Sequence, residues 1–287
     1  MGIRAADNRV ISVLAQYEEQ LAGQYDEGEA RAIARAVFLE RLGWDAAQME
    51  LQKLEPLHES DLLKLYLPLK RLRAGEPLQH ILGRARFHGM ELSVGPDVLI
   101  PRPETEELVE LILKDGFTPS VIADVGTGSG CIALALKQGF PSARVVGIDA
   151  SRDALARAQS NGSDLGLAVE WVEGDALAAS FGLPAGIDLV VSNPPYVPVE
   201  EADSLLARVR AREPYLALFA PAGDPLAFYR SIGSAALRSL APNGRLWFEC
   251  HWKHAQATGQ LLRDMGFSQV TVITDMSGNE RFVRCVR

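Results

Sequence analysis

Asn193-Pro194-Pro195-Tyr196 follows the largely apolar run Ile187-Asp188-Leu189-Val190-Val191-Ser192. Neither proline has an N–H to give to a strand ladder, so a strand must stop here, and ligands of open α/β sheets bind at the carboxyl ends of strands. Asn193 offers a side-chain carbonyl, Pro194 a main-chain carbonyl with no competing N–H, and Tyr196 a flat ring. The set suits a planar NH2 group, with two acceptors for its two hydrogens and a face to lie against. Amide and aromatic-amine nitrogens are poor nucleophiles because their lone pair is delocalised. Acceptors that hold both N–H bonds aim that lone pair at an electrophile and accommodate charge developing on nitrogen. The chemistry to expect is alkylation of an NH2 group. A plain proline-rich strand exit has the same composition, so the surrounding motifs decide between the two.

Those surroundings begin at Val121-Ile122-Ala123-Asp124-Val125-Gly126-Thr127-Gly128-Ser129-Gly130, which runs directly into Cys131-Ile132-Ala133-Leu134-Ala135-Leu136. An apolar strand enters a glycine-rich turn and good helix formers follow. The G-x-G-x-G spacing differs from the G-x-G-x-x-G of dinucleotide folds. Glycines let the backbone turn tightly and approach a ligand closely, and the helix opening near Gly130 suits a ligand carboxylate. A second strand, Ala143 to Ile148, ends at Asp149, placed about 20 residues past the glycines to accept ribose hydroxyls. Its alternative role is to cap the next helix, which Ser151 would do equally well.

Together these residues resemble a known group. Asp124 with the glycine turn, Asp149, Asp175 after a third strand and the Asn193–Tyr196 motif after a fourth are similar to class I S-adenosylmethionine-dependent methyltransferases. Gly75-Glu76-Pro77-Leu78-Gln79-His80-Ile81-Leu82-Gly83, then Phe87, then Leu99-Ile100-Pro101-Arg102-Pro103-Glu104-Thr105-Glu106 narrow the resemblance to the HemK/PrmC type, the peptide chain release factor glutamine methyltransferases. The resemblance covers residues 75 to 287; before that only helical character matches.

It implies methylation of a glutamine side-chain amide in the Gly-Gly-Gln loop of class 1 release factors, with S-adenosylmethionine as donor. Asn193, Pro194, Pro195 and Tyr196 would form the catalytic set. Gly126, Thr127, Gly128, Ser129, Gly130 and Asp149 would take the methionine and ribose parts, with Asn193 counted on this side too. Asp175 and Ala176 would border the adenine, at a place where many relatives have an aromatic residue. Pro101 and Pro103 bracket Arg102 before a helix whose first turn is acidic, a well-made helix start that the resemblance puts over the cofactor, with Arg102 and Glu104 beside the site.

The expected fold is α/β: a Rossmann-like class I methyltransferase sheet over 101–287, an N-terminal helical substrate-docking domain over 1–84 and a linking β-hairpin over 85–100. Amphipathic helices are expected from Asp7 to Leu21, Asp26 to Leu42, Asp45 to Leu54 and Ser60 to Ala74, with Pro68 kinking or splitting the last. Lys70, Arg71 and Arg73 form a cationic patch that most simply is solvated surface. The segment 197–223, rich in charge and proline, is expected to cover the cleft. Strands follow at 244–249, 268–274 and 280–286, the last two antiparallel, with a helix at 253–265.

The chain has 287 residues, 47% hydrophobic, and a net charge of −8. No stretch is apolar enough for a membrane span and no secretory core opens the sequence, so a cytoplasmic enzyme with no membrane partner is expected. The acidic balance disfavours direct nucleic-acid binding. Cys131, Cys250 and Cys285 show no C-x-x-C pairing and read as reduced core thiols. His251 and His254 have a spacing that suits a metal, but no third ligand converges on them, and no metal is expected. Three other readings stand beside the first: glutamine methylation of a ribosomal protein, methylation of adenine's exocyclic amine, and a non-catalytic nucleotide-binding module.

Overall fold

The computed structural model describes residues 7–199 and 212–287. The chain divides into a compact unit that runs through Gly83 and a second that begins at Arg84.

The first unit is helical: α1 (Val10–Leu21), α2 (Glu27–Leu42), α3 (Ala46–Leu51), α4 (Glu59–Arg73) and the short α5 (Leu78–Leu82). Asp26 and Asp45 cap their helices, accepting from the backbone N–H of Glu29 and Gln48, and Gly43 ends α2 in the left-handed conformation. Tyr17, Phe38, Leu65, Leu69 and Leu72 fill the core. Two expectations are corrected. The fourth helix starts at Glu59, with His58 in the capping position and Ser60 inside. Pro68 does not split it: the helix runs unbroken through the proline, which is buried with Leu65, Leu69 and Leu72. The cationic patch is partly spent, since Arg71 forms a two-pronged pair with Glu76.

The second unit opens with the hairpin β1 (Arg84–Phe87) and β2 (Met90–Ser93). Its two-residue turn has positive φ at His88 (47°) and Gly89 (76°), the combination that matches strand twist. There follow α6 (Pro103–Lys114), β3 (Val121–Val125), α7 (Cys131–Gly139), β4 (Arg144–Asp149), α8 (Arg152–Leu165), β5 (Glu170–Glu173) and β6 (Ile187–Ser192). After the undescribed residues come α9 (Tyr215–Leu218), α10 (Ala227–Ser239), β7 (Leu240–Glu249), α11 (Ala255–Asp264), β8 (Ser268–Thr274) and β9 (Glu280–Val286).

Strands β3 to β9 form one sheet in the order β5-β4-β3-β6-β7-β9-β8, and β1 and β2 pair separately. The first five are parallel; β9 lies antiparallel between β7 and β8. Because strand side chains alternate, the sheet builds two cores. Ile122, Val145, Leu189 and Trp247 pack with α6 and α7 on one face, and Ala123, Val146, Val190 and Leu246 pack with α10 and α11 on the other. This is the Rossmann-like methyltransferase sheet that the resemblance implied. The hairpin belongs with it, since Asn161 on α8 bonds both the N–H and the carbonyl of Ser93. Of the segment 197–223 expected over the cleft, residues 200–211 lie outside the described residues. No described helix is long and apolar enough to cross a membrane.

Candidate active site

The expected cofactor residues lie at the carboxyl ends of four adjacent strands. Gly126 follows β3, Asp149 ends β4, Asp175 stands just past β5 and Asn193 follows β6. From β3 the chain winds outward to β4 and β5, then returns to place β6 on β3's other side. Connections leave β3 and β6 in opposite directions, and the crevice that opens there is where such sheets bind ligands. Ser192 closes its floor, its hydroxyl donating to the Val125 carbonyl at 2.6 Å.

Gly126, Gly128 and Gly130 all have φ between 54° and 82°, a region that L side chains rarely adopt. The turn is held by its neighbour: the N–H groups of Gly126 and Thr127 donate to the Ile148 carbonyl, and that of Gly128 to Asp149 Oδ2 at 2.8 Å. A side chain on Gly126 would point at the Asn193 main-chain carbonyl, 3.9 Å away, so the turn and the Asn-Pro-Pro-Tyr motif face each other. At Gly130 a Cβ would come within 2.9 Å of the Trp171 ring. Thr127 and Ser129 are buried: the Thr127 hydroxyl is spent on Asp124 and the Ser129 carbonyl on Asn161. Both side chains sit inside the turn, and the Ser129 hydroxyl has no partner among the described residues.

Ser151 accepts from Ala154 N and so caps α8, which frees Asp149 from that role. Asp149 instead takes Gly128 N on one oxygen and Ser151 N on the other, and each oxygen keeps a lone pair for a hydroxyl. Burial pushes its carboxyl above the usual carboxylate range. Asp124 is fully buried. Its Oδ2 accepts from the Thr127 hydroxyl (2.6 Å) and Ala133 N (3.2 Å), while Oδ1 has no partner among the described residues. Burial above all, with the charge of Asp149, pushes Asp124 up to about 7. An orphaned, buried carboxylate oxygen beside a glycine turn fits a cationic donor such as a ligand ammonium. The turn, Asp124 and Asp149 therefore fit the aminoacyl and ribose ends of S-adenosylmethionine. Asp175 is exposed and caps its own turn through Leu177 N; Ala176 is buried in the core, its carbonyl held by the Ser231 hydroxyl.

Across the crevice, the two prolines end β6 as the sequence requires, and the chain is caught again where Val197 pairs with Phe219. Asn193 Nδ2 donates to Thr105 Oγ1 at 3.1 Å, which leaves Oδ1 as the acceptor for another group. No described donor is bonded to the Pro194 carbonyl. The Thr105 hydroxyl donates to Glu249 Oε2 at 2.7 Å, and Tyr196 OH to Glu249 Oε1 at 3.3 Å. The Tyr196 ring meets His251 edge-on, with centroids 6.0 Å apart. Burial and Glu249 together push the Tyr196 phenol well above its ordinary range. Arg102 pairs with the buried Glu213, which also accepts from Ile100 N, so the proline-bracketed segment is anchored at both ends.

Three residues here escaped the sequence reading as site members: Asp124, Thr105 and Glu249. Each left a signal. Asp124 is a charge inside an apolar strand, Thr105 sits within the segment that carries the resemblance, and Glu249 closes the apolar run Leu246-Trp247-Phe248 at the ligand edge.

Comparison with known proteins identifies the family. Residues 122–212 match the model of a methyltransferase domain, and residues 12–83 that of the PrmC N-terminal domain. The chain is 37% identical over 275 residues to a release factor glutamine methyltransferase of Bacteroides thetaiotaomicron, covering 96% of this chain and 99% of the relative. A release factor glutamine methyltransferase of Enterococcus faecalis is 38% identical over 276 residues, covering 95% and 97%. Among solved structures, a methyltransferase from Pyrococcus furiosus superposes with a TM-score of 0.50 at 17% identity over 69% of this chain and 89% of that one, a likeness of fold. The chain belongs to the release factor glutamine methyltransferase family.

Proposed function

We propose that the protein methylates the side-chain amide of the glutamine in the Gly-Gly-Gln loop of class 1 peptide chain release factors. The carrying observation is at the end of β6: Asn193, whose main-chain carbonyl lies beside the glycine turn and whose Nδ2 is taken by Thr105 so that Oδ1 stays an acceptor, is followed by a Pro194 carbonyl to which no described backbone donor is bonded. S-adenosylmethionine, when bound, supplies the electrophilic methyl group. The glycine turn and Asp149 hold its aminoacyl and ribose parts, with Asp124 Oδ1 facing the ammonium. Asp175 and Ala176 border the adenine. Asn193 and Pro194 accept the two N–H bonds of the glutamine amide, so its lone pair points at the methyl, and they accommodate the positive charge that grows on nitrogen. Fixing that geometry contributes up to about 7–11 kcal/mol of the barrier reduction. Pro195 and Tyr196 complete the catalytic set, with Tyr196 held by Glu249.

The helical unit docks the release factor, the segment of 85–100 joins the two units along the chain, and the protein works in the cytoplasm. A net charge of −8 disfavours nucleic acid as the substrate. The test is to incubate the enzyme with labelled S-adenosylmethionine and, in parallel, a release factor, ribosomal proteins or DNA, and to locate the methyl by mass spectrometry. Methyl on the release factor glutamine is the expected outcome; methyl on a ribosomal protein or on adenine overturns the substrate assignment, and none on any of them overturns the activity.

A further inference from the structure

Asn193 is an amide, and which of its ends faces the substrate decides whether it accepts or donates. The hydroxyl of Thr105 has one proton and stands between two groups, Glu249 Oε2 at 2.7 Å and Asn193 Nδ2 at 3.1 Å. With Glu249 ionised, that proton must go to the carboxylate, since an ionised carboxylate only accepts. The Thr105 oxygen then accepts from Asn193, the NH2 end of the amide turns toward Thr105, and Oδ1 is left to face the crevice. With Glu249 protonated, the carboxylic acid can donate to Thr105, whose own proton is then free for the amide oxygen. That arrangement stabilises the flipped amide and presents two N–H donors to a substrate that is itself an NH2 group.

We propose that Thr105 and Glu249 are positioning residues for methyl transfer, a buried hydroxyl–carboxylate relay that locks the Asn193 carbonyl toward the substrate amide only while Glu249 is ionised. The inference rests on the reading of Asn193 as the amide acceptor.

The surroundings of Glu249 make the lock sensitive near neutrality. Burial pushes its carboxyl up to about 7 against the opposing hydrogen bond from Thr105, the charge of Arg281 and the hydrogen bond from Tyr196; Glu104 adds to the rise. Tyr229, whose hydroxyl donates to the Glu249 main-chain carbonyl, and Cys250 beside it keep their protons throughout this range. Glu249 is thus the group of this cluster that changes charge near pH 7, and the locked state gains population as pH rises through it.

The experiment combines turnover with a readout that needs no cofactor. In single-turnover assays on a release factor, the wild-type rate should rise with pH to a plateau with a midpoint near 7. T105V should lower that plateau about 10²-fold, the scale of a misplaced reacting group, with cofactor affinity by calorimetry unchanged. T105S, which keeps the hydroxyl, should restore most of the rate. In the protein alone, the nitrogen resonance of the Asn193 side-chain amide should titrate with the same midpoint, and E249Q, which has no proton to lose, should abolish that titration and remove the Glu249 step from the turnover profile, where Asp124 also changes charge near 7. Wild-type turnover by T105V, or an unchanged titration in E249Q, would overturn the relay. N193A separates the two levels: if it turns over normally, the acceptor reading fails, whereas an inactive N193A beside a fully active T105V sinks the relay alone.

Discussion

Asp124 and Glu249 are both buried carboxylates near the ligand edge of the sheet, and burial pushes both up to about 7. Their partners set them apart. Asp124 is braced by Thr127 and Ala133, three and nine residues further on, and keeps one oxygen unpaired. Glu249 is satisfied by Thr105 and Tyr196, 144 and 53 residues away, and both of its oxygens are engaged. The cofactor side of the crevice is therefore a local structure, one strand, one turn and one helix, that leaves one buried carboxylate oxygen without a partner among the described residues. The acceptor side is assembled from three remote segments and spends its charge on aiming Asn193. One half should govern how tightly the cofactor binds and the other how fast the methyl moves.

The widest break in that comparison should come from N193A, which removes one of the two acceptors. A fall of about 10²–10³-fold in kcat is expected with cofactor affinity retained, measured by methylation assay and calorimetry. Equal loss of both would move Asn193 to the cofactor side. D149A should do the reverse: about 10–100-fold weaker cofactor binding, the scale of hydrogen bonds to a charged group, with turnover at saturating cofactor largely kept. G130A sharpens the local half, because a side chain there has both a left-handed φ of 82° and the Trp171 ring against it. It should destabilise the fold by about 1–3 kcal/mol in denaturant unfolding.

The smallest expected effect is a slope. A carboxyl held above its unfolded value contributes stability at low pH that is lost as pH rises through its folded value. Between about pH 4 and 7 the free protein should therefore lose thermal stability through Asp124 and Glu249. D124N should flatten part of that decline, and a melting series across the range checks it. An unchanged slope in D124N would mean that the buried oxygen is paired in solution.

The same contrast explains what could be read from the chain. The strand–glycine turn–helix and the acid after the next strand carry their function in contiguous spacing, because the backbone of the turn and its neighbouring strand make the contacts. The proline pair after β6 is equally local, since it stops a strand wherever it stands. The closing antiparallel strands fell at 268–274 and 280–286 as their alternation and turn residues required. Thr105 and Glu249 are different. Nothing along the chain links position 105 to 249; they meet because α6 packs on the face of the sheet with its first turn at the end of β7. Pro68 is tolerated inside α4 for a similar reason, since its ring is buried in a core that residues of other helices complete. Tyr196 is read from the sequence as a face for the target; its hydroxyl bond to Glu249 and its T-shaped contact with His251 come from the far end of the chain and are not legible beside it.

The most direct test of the central claim is a crystal structure of the enzyme with S-adenosylhomocysteine and a release factor fragment bearing the Gly-Gly-Gln loop. The account predicts the glutamine amide nitrogen within hydrogen-bond reach of both Asn193 Oδ1 and the Pro194 carbonyl, its remaining face toward the cofactor sulfur. A glutamine nitrogen seated away from both oxygens, or an Asn193 that turns its NH2 to the substrate, would contradict it.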